Sequence, residues 1–358
     1  MIMNKLYTSK LGRTLVLFSV ILFSFGFLAN PYPTIKNNSL PVVSSFNPFG
    51  PAQGFGAFAF GDVDLIGSES EGPIAIGGDL IGFNNGYTIG PPNSPNPFTS
   101  GGTPVSLLID GKVIWGGGSG ELRITADGHL KIGDCSNTSV TQNGNITTAS
   151  NGSGNPSIKV QGSIPQAPGT VCSPNLLDFD AAYTQMNNYS SEMASCPATA
   201  FFPNVNLVAG QNVINTTLSA ISGIQSINMF GTIDANNPLI INIDGQGASS
   251  GTWDVWNSTP QSSVIKYVIY HFYNIDNLTI TADNGLWGSV FAPNTNLTIQ
   301  GNNNIEGQIV SQDLVDAGGE IHGHNNFASS IDGCGPGCTD PTVPTLTATP
   351  SSICNGGS

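Results

Sequence analysis

Apolar positions along this chain fall in short runs, alternating with polar ones and broken at close intervals by Asn, Gly or Pro. The clearest run, Asn277-Leu278-Thr279-Ile280, recurs nineteen residues later as Asn296-Leu297-Thr298-Ile299. In the same register Asn284 recurs as Asn303, Gly288 as Gly307, and Val290-Phe291 is answered by Ile309-Val310. Alternation with period two marks half-buried strands. A unit of about twenty residues cannot bury its own apolar face, so such units must stack on one another. The pattern therefore predicts an all-β fold, a parallel β-helix (β-solenoid) whose rungs are short strands joined by tight turns.

Other segments extend the prediction. Gly61-Asp62 and Gly78-Asp79 open runs at a spacing close to the later repeat, and Leu107–Ile109, Lys112–Trp115 and Leu122–Ile124 read as short strands between Asp-Gly and Gly-Gly turns. Residues 136–154 are so rich in Asn, Ser, Thr and Gly that they read as a surface excursion. Leu239–Asp244 and Val264–Phe272 are the strongest later strands. In the second, Ile265, Tyr267, Ile269 and His271 alternate with Lys266, Val268, Tyr270 and Phe272. Both sides are largely apolar, which predicts burial between the coil and a covering element. One segment breaks the β pattern. Leu176, Leu177, Phe179, Ala182, Tyr183, Met186 and Tyr189 fall near helical spacing, with Asp178 and Asp180 where the helix dipole favours them. It predicts one α-helix packed alongside the coil.

The ends differ. Lys5, Lys10 and Arg13 precede the apolar run Leu15–Leu28, and Ala29 offers a small residue for cleavage, so residues 1–29 read as a secretory signal peptide. A retained membrane anchor is the alternative, although the run is shorter than the roughly 20 residues a spanning helix needs. Residues 30–54 read as a linker, 55–327 as the domain, and 328–358 as a second linker leading into an immunoglobulin-like repeat.

Charge narrows the partners. The chain carries a net charge of −14, and losing the first segment removes three positive charges and no negative ones. Arg123 is then the last arginine. Such a surface excludes nucleic acid and disfavours other polyanions, and no membrane insertion of the mature domain is expected. Six cysteines in an exported chain favour disulfides. Cys172 and Cys196 bracket the helix, Cys334 and Cys338 a tight loop, and Cys135 and Cys354 have no evident mate; spacing leaves the pairing open.

Five stretches together resemble the choice-of-anchor A domain, an adhesive module of secreted and surface bacterial proteins. They are Ala59-Phe60-Gly61-Asp62-Val63, Glu71-Gly72-Pro73-Ile74-Ala75-Ile76-Gly77-Gly78, the helix at Leu177–Met193, Gly288-Ser289-Val290-Phe291-Ala292-Pro293-Asn294, and Asn304–Val310 followed by Gly319-Glu320-Ile321-His322. The resemblance implies a β-helix-like fold with one helix alongside and a place at the cell surface, held by a separate anchor. On that basis the sequence is expected to be the N-terminal piece of a longer protein. The family offers no catalytic residues to carry over.

Residues that could do chemistry are few. Glu320, His322 and His324 would point to one side of a strand, and that trio could hold a transition metal; the competing reading is a polar cap on the last rung. Asp62, Asp64 and Asp79 sit on Gly-flanked turns and could bind calcium, yet Asp at a turn more often bonds its own backbone. A carbohydrate-active β-helix enzyme, a polysaccharide hydrolase or lyase, is the enzymatic alternative. A lyase of acidic sugars needs cationic groups that are scarce here, and no pair of carboxylates stands out for hydrolysis. Ice-binding proteins also combine a β-solenoid with a helix, and would require a regular Thr ladder; Thr279 and Thr298 repeat once and the pattern stops. The reading is thus a non-enzymatic adhesive or structural module, binding an extracellular glycan or a matrix or surface protein along the flank of the coil.

Overall fold

In a computed structural model, residues 45–91, 97–224, 226–255, 262–323 and 325–334 are described. The fold is all-β apart from two α-helices among these residues, α1 (Phe179–Ser195) and the single turn α2 (Leu218–Ile221). The proposed signal segment, Cys338, Cys354 and residues 335–358 lie outside the described residues, whereas residues 328–334, read as the start of the C-terminal linker, belong to the folded domain.

Three sheets are visited in turn, parallel throughout the shared circuits, with an antiparallel extension of one through residues 139–150. From Ala57–Ala59 the chain passes to Val63–Leu65 and Glu69–Ser70, then repeats the circuit through Ile74–Ile76, Leu80–Phe83 and Thr88–Ile89. The nineteen-residue repeat is one such circuit. Asn277 through Thr281 pair in parallel with Asn296 through Gln300, residue for residue, and Val290-Phe291 pair with Ile309-Val310.

Circuits do not stack in sequence order. In the largest sheet the strands run Asn212–Thr217, Leu239–Ala248, Val268–Ile275, Ser289–Ala292, Ile309–Ser311, Ala57–Ala59, Ile74–Ile76, Thr103–Ile109, His129–Ile132. The last turn of the second half therefore closes onto the first turn of the first half, with Ala57, Phe58 and Ala59 paired to Ile309, Val310 and Ser311. A sequence repeat shows neighbours within one half but is silent about this seam.

Helix α1 makes the order feasible. Its seventeen residues span about 25 Å at 1.5 Å each, which matches about five strands at a spacing near 4.8 Å. It starts against Phe58 and Phe60 and ends against Asn215 and Asn242, returning the chain to the far edge of the sheet. Asp178 Oδ1 accepts the Ala181 amide at 2.9 Å and caps its first turn.

Alternation on the large sheet produces two cores. Ala57, Ile74, Leu107, Leu239, Ile241, Tyr270 and Phe272 point into the coil. Phe58, Ala75, Leu108, Ile240, Ile269, Phe291 and Val310 point out and meet Phe179, Ala182, Met186 and Met193 of α1. The double burial expected of the segment around Tyr270 is present, with one change. Residues Ser262–Tyr267 form a 3-10 helix, and the strand begins at Val268.

Residues 45–53, read as linker, also contribute. Ser45-Phe46 pair antiparallel with Ile331-Asp332, Phe46 stacks on Tyr189 at 4.2 Å between ring centroids, and Phe49 meets Phe291 edge-on. The disulfides are Cys135–Cys172 and Cys196–Cys334. Cys172 bridges beside Ile132 at one edge of the large sheet, while Cys196 follows α1 at the other. The two cysteines that bracket the helix therefore pair with Cys135 and Cys334 and not with each other.

Candidate functional site

Three places gather polar side chains: an outward sheet face, a carboxylate–histidine cluster and a buried relay under α1.

The outward face belongs to the sheet ordered Gly251–Asp254, Asn277–Thr281, Asn296–Gln300, Leu314–Asp316, Val63–Leu65, Leu80–Phe83. Register places Thr252, Thr279, Thr298, Val315 and Asp64 in one outward column. Asp254, Thr281 and Gln300 form a second column beside it, and Asn277 and Asn296 a third, in which Asn296 Nδ2 donates to Asn277 Oδ1 at 3.1 Å. The Thr ladder therefore runs one strand further than the sequence motif shows. Thr252 escapes notice because its strand reads Gly251-Thr252-Trp253-Asp254, with Trp253 in the inward place of Ile280.

The three aspartates read as a calcium set do not converge. Asp313 Oδ1 accepts the Asp62 amide at 2.9 Å, Asp62 Oδ1 accepts the Asp79 amide at 2.8 Å, and Asp79 Oδ1 accepts the Lys112 amide at 2.9 Å. Each carboxylate closes the turn of the next rung. Asp64 lies on the outward face instead, and burial pushes its carboxyl up from the ordinary range.

A second cluster forms at the seam. Ile321 is buried and bridges Ser70 and Ile305, so Glu320 and His322 flank it and face outward together. Of the trio read from sequence, Glu320 and His322 are brought together; His324 lies outside the described residues. Three residues from other turns join them. His322 Nδ1 is 2.9 Å from Glu306 Oε1, and its Nε2 is 3.0 Å from Glu320 Oε2 and 3.6 Å from Glu71 Oε2. Glu69 is close enough that, after burial, the charges of Glu320 and Glu71 raise its pKa. Burial opposes the imidazolium of His322, but its hydrogen bonds to Glu320 and Glu306 prevail and its pKa is raised. Backbone closeness brings Glu71 in. A Cβ on Gly56 would lie 2.6 Å from the Gly323 Cα, and one on Gly72 3.0 Å from the Gly323 carbonyl carbon. Glycine at these positions lets the two turns touch.

The third group resembles a hydrolytic relay in composition only. Ser190 Oγ lies 2.8 Å from His271 Nε2, and His271 Nδ1 lies 2.8 Å from Asn242 Oδ1. Asn242 spends its amide group on Met193 O and Asn215 Oδ1, so its oxygen faces the ring and Nδ1 carries the proton. His271 is fully buried, and burial pulls its pKa down to about 3. Asn215 donates to Cys196 O at 2.8 Å. The relay satisfies the last carbonyls of α1 and locks the helix to the sheet.

Residues 48–323 match the family model described as "Putative Ice-binding-like adhesive domain". The chain belongs to this adhesive-domain family. The match runs from the Phe49 turn to the seam glycine Gly323, so it covers both halves of the adhesive domain. Among curated proteins none matches the chain. Among solved structures, a glycosylated ice-binding protein from an Arctic yeast is similar over 84% of this chain and 98% of its own, at 13% identity and a TM-score of 0.28. A likeness at that score decides nothing about ligand or fold. No helix among the described residues is long and apolar enough to cross a membrane.

Proposed function

We propose that this domain is a secreted, cell-surface adhesive module of the choice-of-anchor A type, built as a β-solenoid. Its binding face would be the outward Thr and Asn columns, and its ligand an extracellular glycan or a surface protein. The observation that supports this most is the register of Thr252, Thr279 and Thr298 between the Asn277–Asn296 column and the Thr281–Gln300 column. Strand spacing of about 4.8 Å presents hydroxyls and amides as a fixed lattice. Many weak polar contacts can then act together without ordering cost, because the strands are already held. Two disulfides suit an oxidising compartment.

Glycan arrays and matrix-protein binding assays test the reading. The intact chain should bind at least one immobilised ligand, and Thr279→Tyr with Thr298→Tyr should weaken that binding about tenfold or more. Silence across both panels, or binding indifferent to the substitutions, would defeat it. The same Thr column favours a second reading, adsorption to ice, for which ice-crystal shaping by the intact chain is the measurement. For the enzymatic alternative, reducing-sugar release from neutral and acidic polysaccharides is the assay.

A further inference from the structure

The geometry points to a divalent transition-metal site at the seam, with His322 Nε2, Glu320 and Glu71 as ligands and Glu306 orienting the imidazole. One ligand atom from each of the three lies within 4.8 Å of the others. Donors about 2.1 Å from a tetrahedral ion stand roughly 3.4 Å apart. The two separations from His322 Nε2, 3.0 Å and 3.6 Å, bracket that figure. The three groups therefore need little movement to close on one ion.

Orientation agrees with separation. A ligating histidine commonly donates its other ring N–H to a carboxylate, which fixes the tautomer and strengthens the ligand. Glu306 Oε1 sits 2.9 Å from His322 Nδ1, and Asn325 Nδ2 reaches the other Glu306 oxygen at 3.4 Å. Asn304 supports Glu320, accepting its amide N–H at 3.3 Å. The Asn304 Nδ2 also lies 3.1 Å from His322 Nε2, a contact that an ion would replace. Four carboxylates, those of Glu69, Glu71, Glu306 and Glu320, surround one imidazole. Their negative charges crowd one another around the ring. A dication relieves that repulsion where a single imidazolium cannot. Mixed imidazole and carboxylate donors suit zinc better than calcium, which prefers oxygen alone.

Position gives the ion a role. Glu71 belongs to the first half of the coil, while Glu306, Glu320 and His322 belong to the second, and the halves meet here. An ion bound by both would staple the seam in the folded state and vanish on unfolding, so it would raise the melting temperature.

Titration of the full chain, stripped with a chelator, with Zn2+, Ca2+ and Mg2+ tests this by calorimetry and thermal melting. One Zn2+ per chain should bind and raise the melting temperature, with weaker binding at pH 5 where protons compete for His322. Glu306→Gln should lower affinity about 10- to 100-fold, and His322→Asn should lower it further. Glu71→Gln changes a ligand whose side chain is 41% exposed, so it serves if the histidine variant misfolds. It should remove the Zn2+-dependent rise in melting temperature while leaving the metal-free melt close to that of the parent. Binding shared equally by Ca2+ and Mg2+ and untouched by these substitutions would mean surface carboxylates alone, and would overturn the site.

Discussion

Asp316 occupies a place that the pattern reserves for an apolar side chain. Register aligns it with Ile299 on one side and Leu65 on the other, pointing into the coil, where it is fully buried. Tyr87 OH donates to its Oδ2 at 2.7 Å, while Oδ1 has no hydrogen-bond partner. Burial pushes its carboxyl up to about 6. Against an unfolded value of about 3.9, that is roughly 2 pH units, or about 3 kcal/mol at 1.36 kcal/mol per unit. The folded state holds the proton more tightly, so the favourable contribution is complete below about pH 4 and lost as pH rises through about 6. Ionised Asp316 therefore weakens the fold at neutral pH. Asp316→Asn keeps the shape and an acceptor for Tyr87 but cannot ionise. Its stability relative to the parent should rise by up to about 3 kcal/mol between pH 4 and pH 7.5. Guanidinium unfolding across that range measures the difference. A new amide left unsatisfied would shift the whole curve by a constant, so the slope is the test. A variant-minus-parent difference that stays flat from pH 4 to 7.5 would refute the reasoning.

Other consequences are more local. Ser190→Ala removes the donor to His271 Nε2 and leaves a buried acceptor unpaired, so about 1–3 kcal/mol of stability should be lost in denaturant melts at neutral pH. Burial holds the His271 pKa at about 3, against about 6.5 unfolded, so the unfolded chain takes up the proton first. This stabilising contribution is present above about 6.5 and is lost as pH falls toward 3, and His271→Gln should abolish that part of the acid sensitivity in the same melts. Gly323→Ala would set a Cβ 2.5 Å from the Gly56 Cα; the backbones must part, and a loss of about 1–3 kcal/mol is expected in thermal unfolding.

How much of this was legible follows from what repeats along a sequence. The rungs at 277–281 and 296–300 are neighbours both in the chain and in space, so identical residues stack and the period shows. Helix α1 was legible for a similar reason, since Phe179, Ala182, Met186 and Met193 face one surface at helical spacing. Glu71 gave no such sign. It reads as a turn residue before Gly-Pro, and its partners lie more than 230 positions away. Glycine offered the one usable clue, because Gly56, Gly72 and Gly323 mark turns that touch at the seam. Asp316 was detectable in principle. Aligning Leu314-Val315-Asp316 under Leu297-Thr298-Ile299 puts a carboxylate in an isoleucine column.

The seam is the long-range step of the fold. Each half of the coil can add turns through contacts close in sequence, which form quickly. Joining Ile309–Ser311 to Ala57–Ala59 brings together segments about 250 residues apart. That junction therefore has a long loop to close. The features gathered there all address this step. Gly56, Gly72 and Gly323 allow backbone contact, Gln308 Nε2 donates to Phe55 O across it at 3.0 Å, and His322 meets carboxylates from both halves.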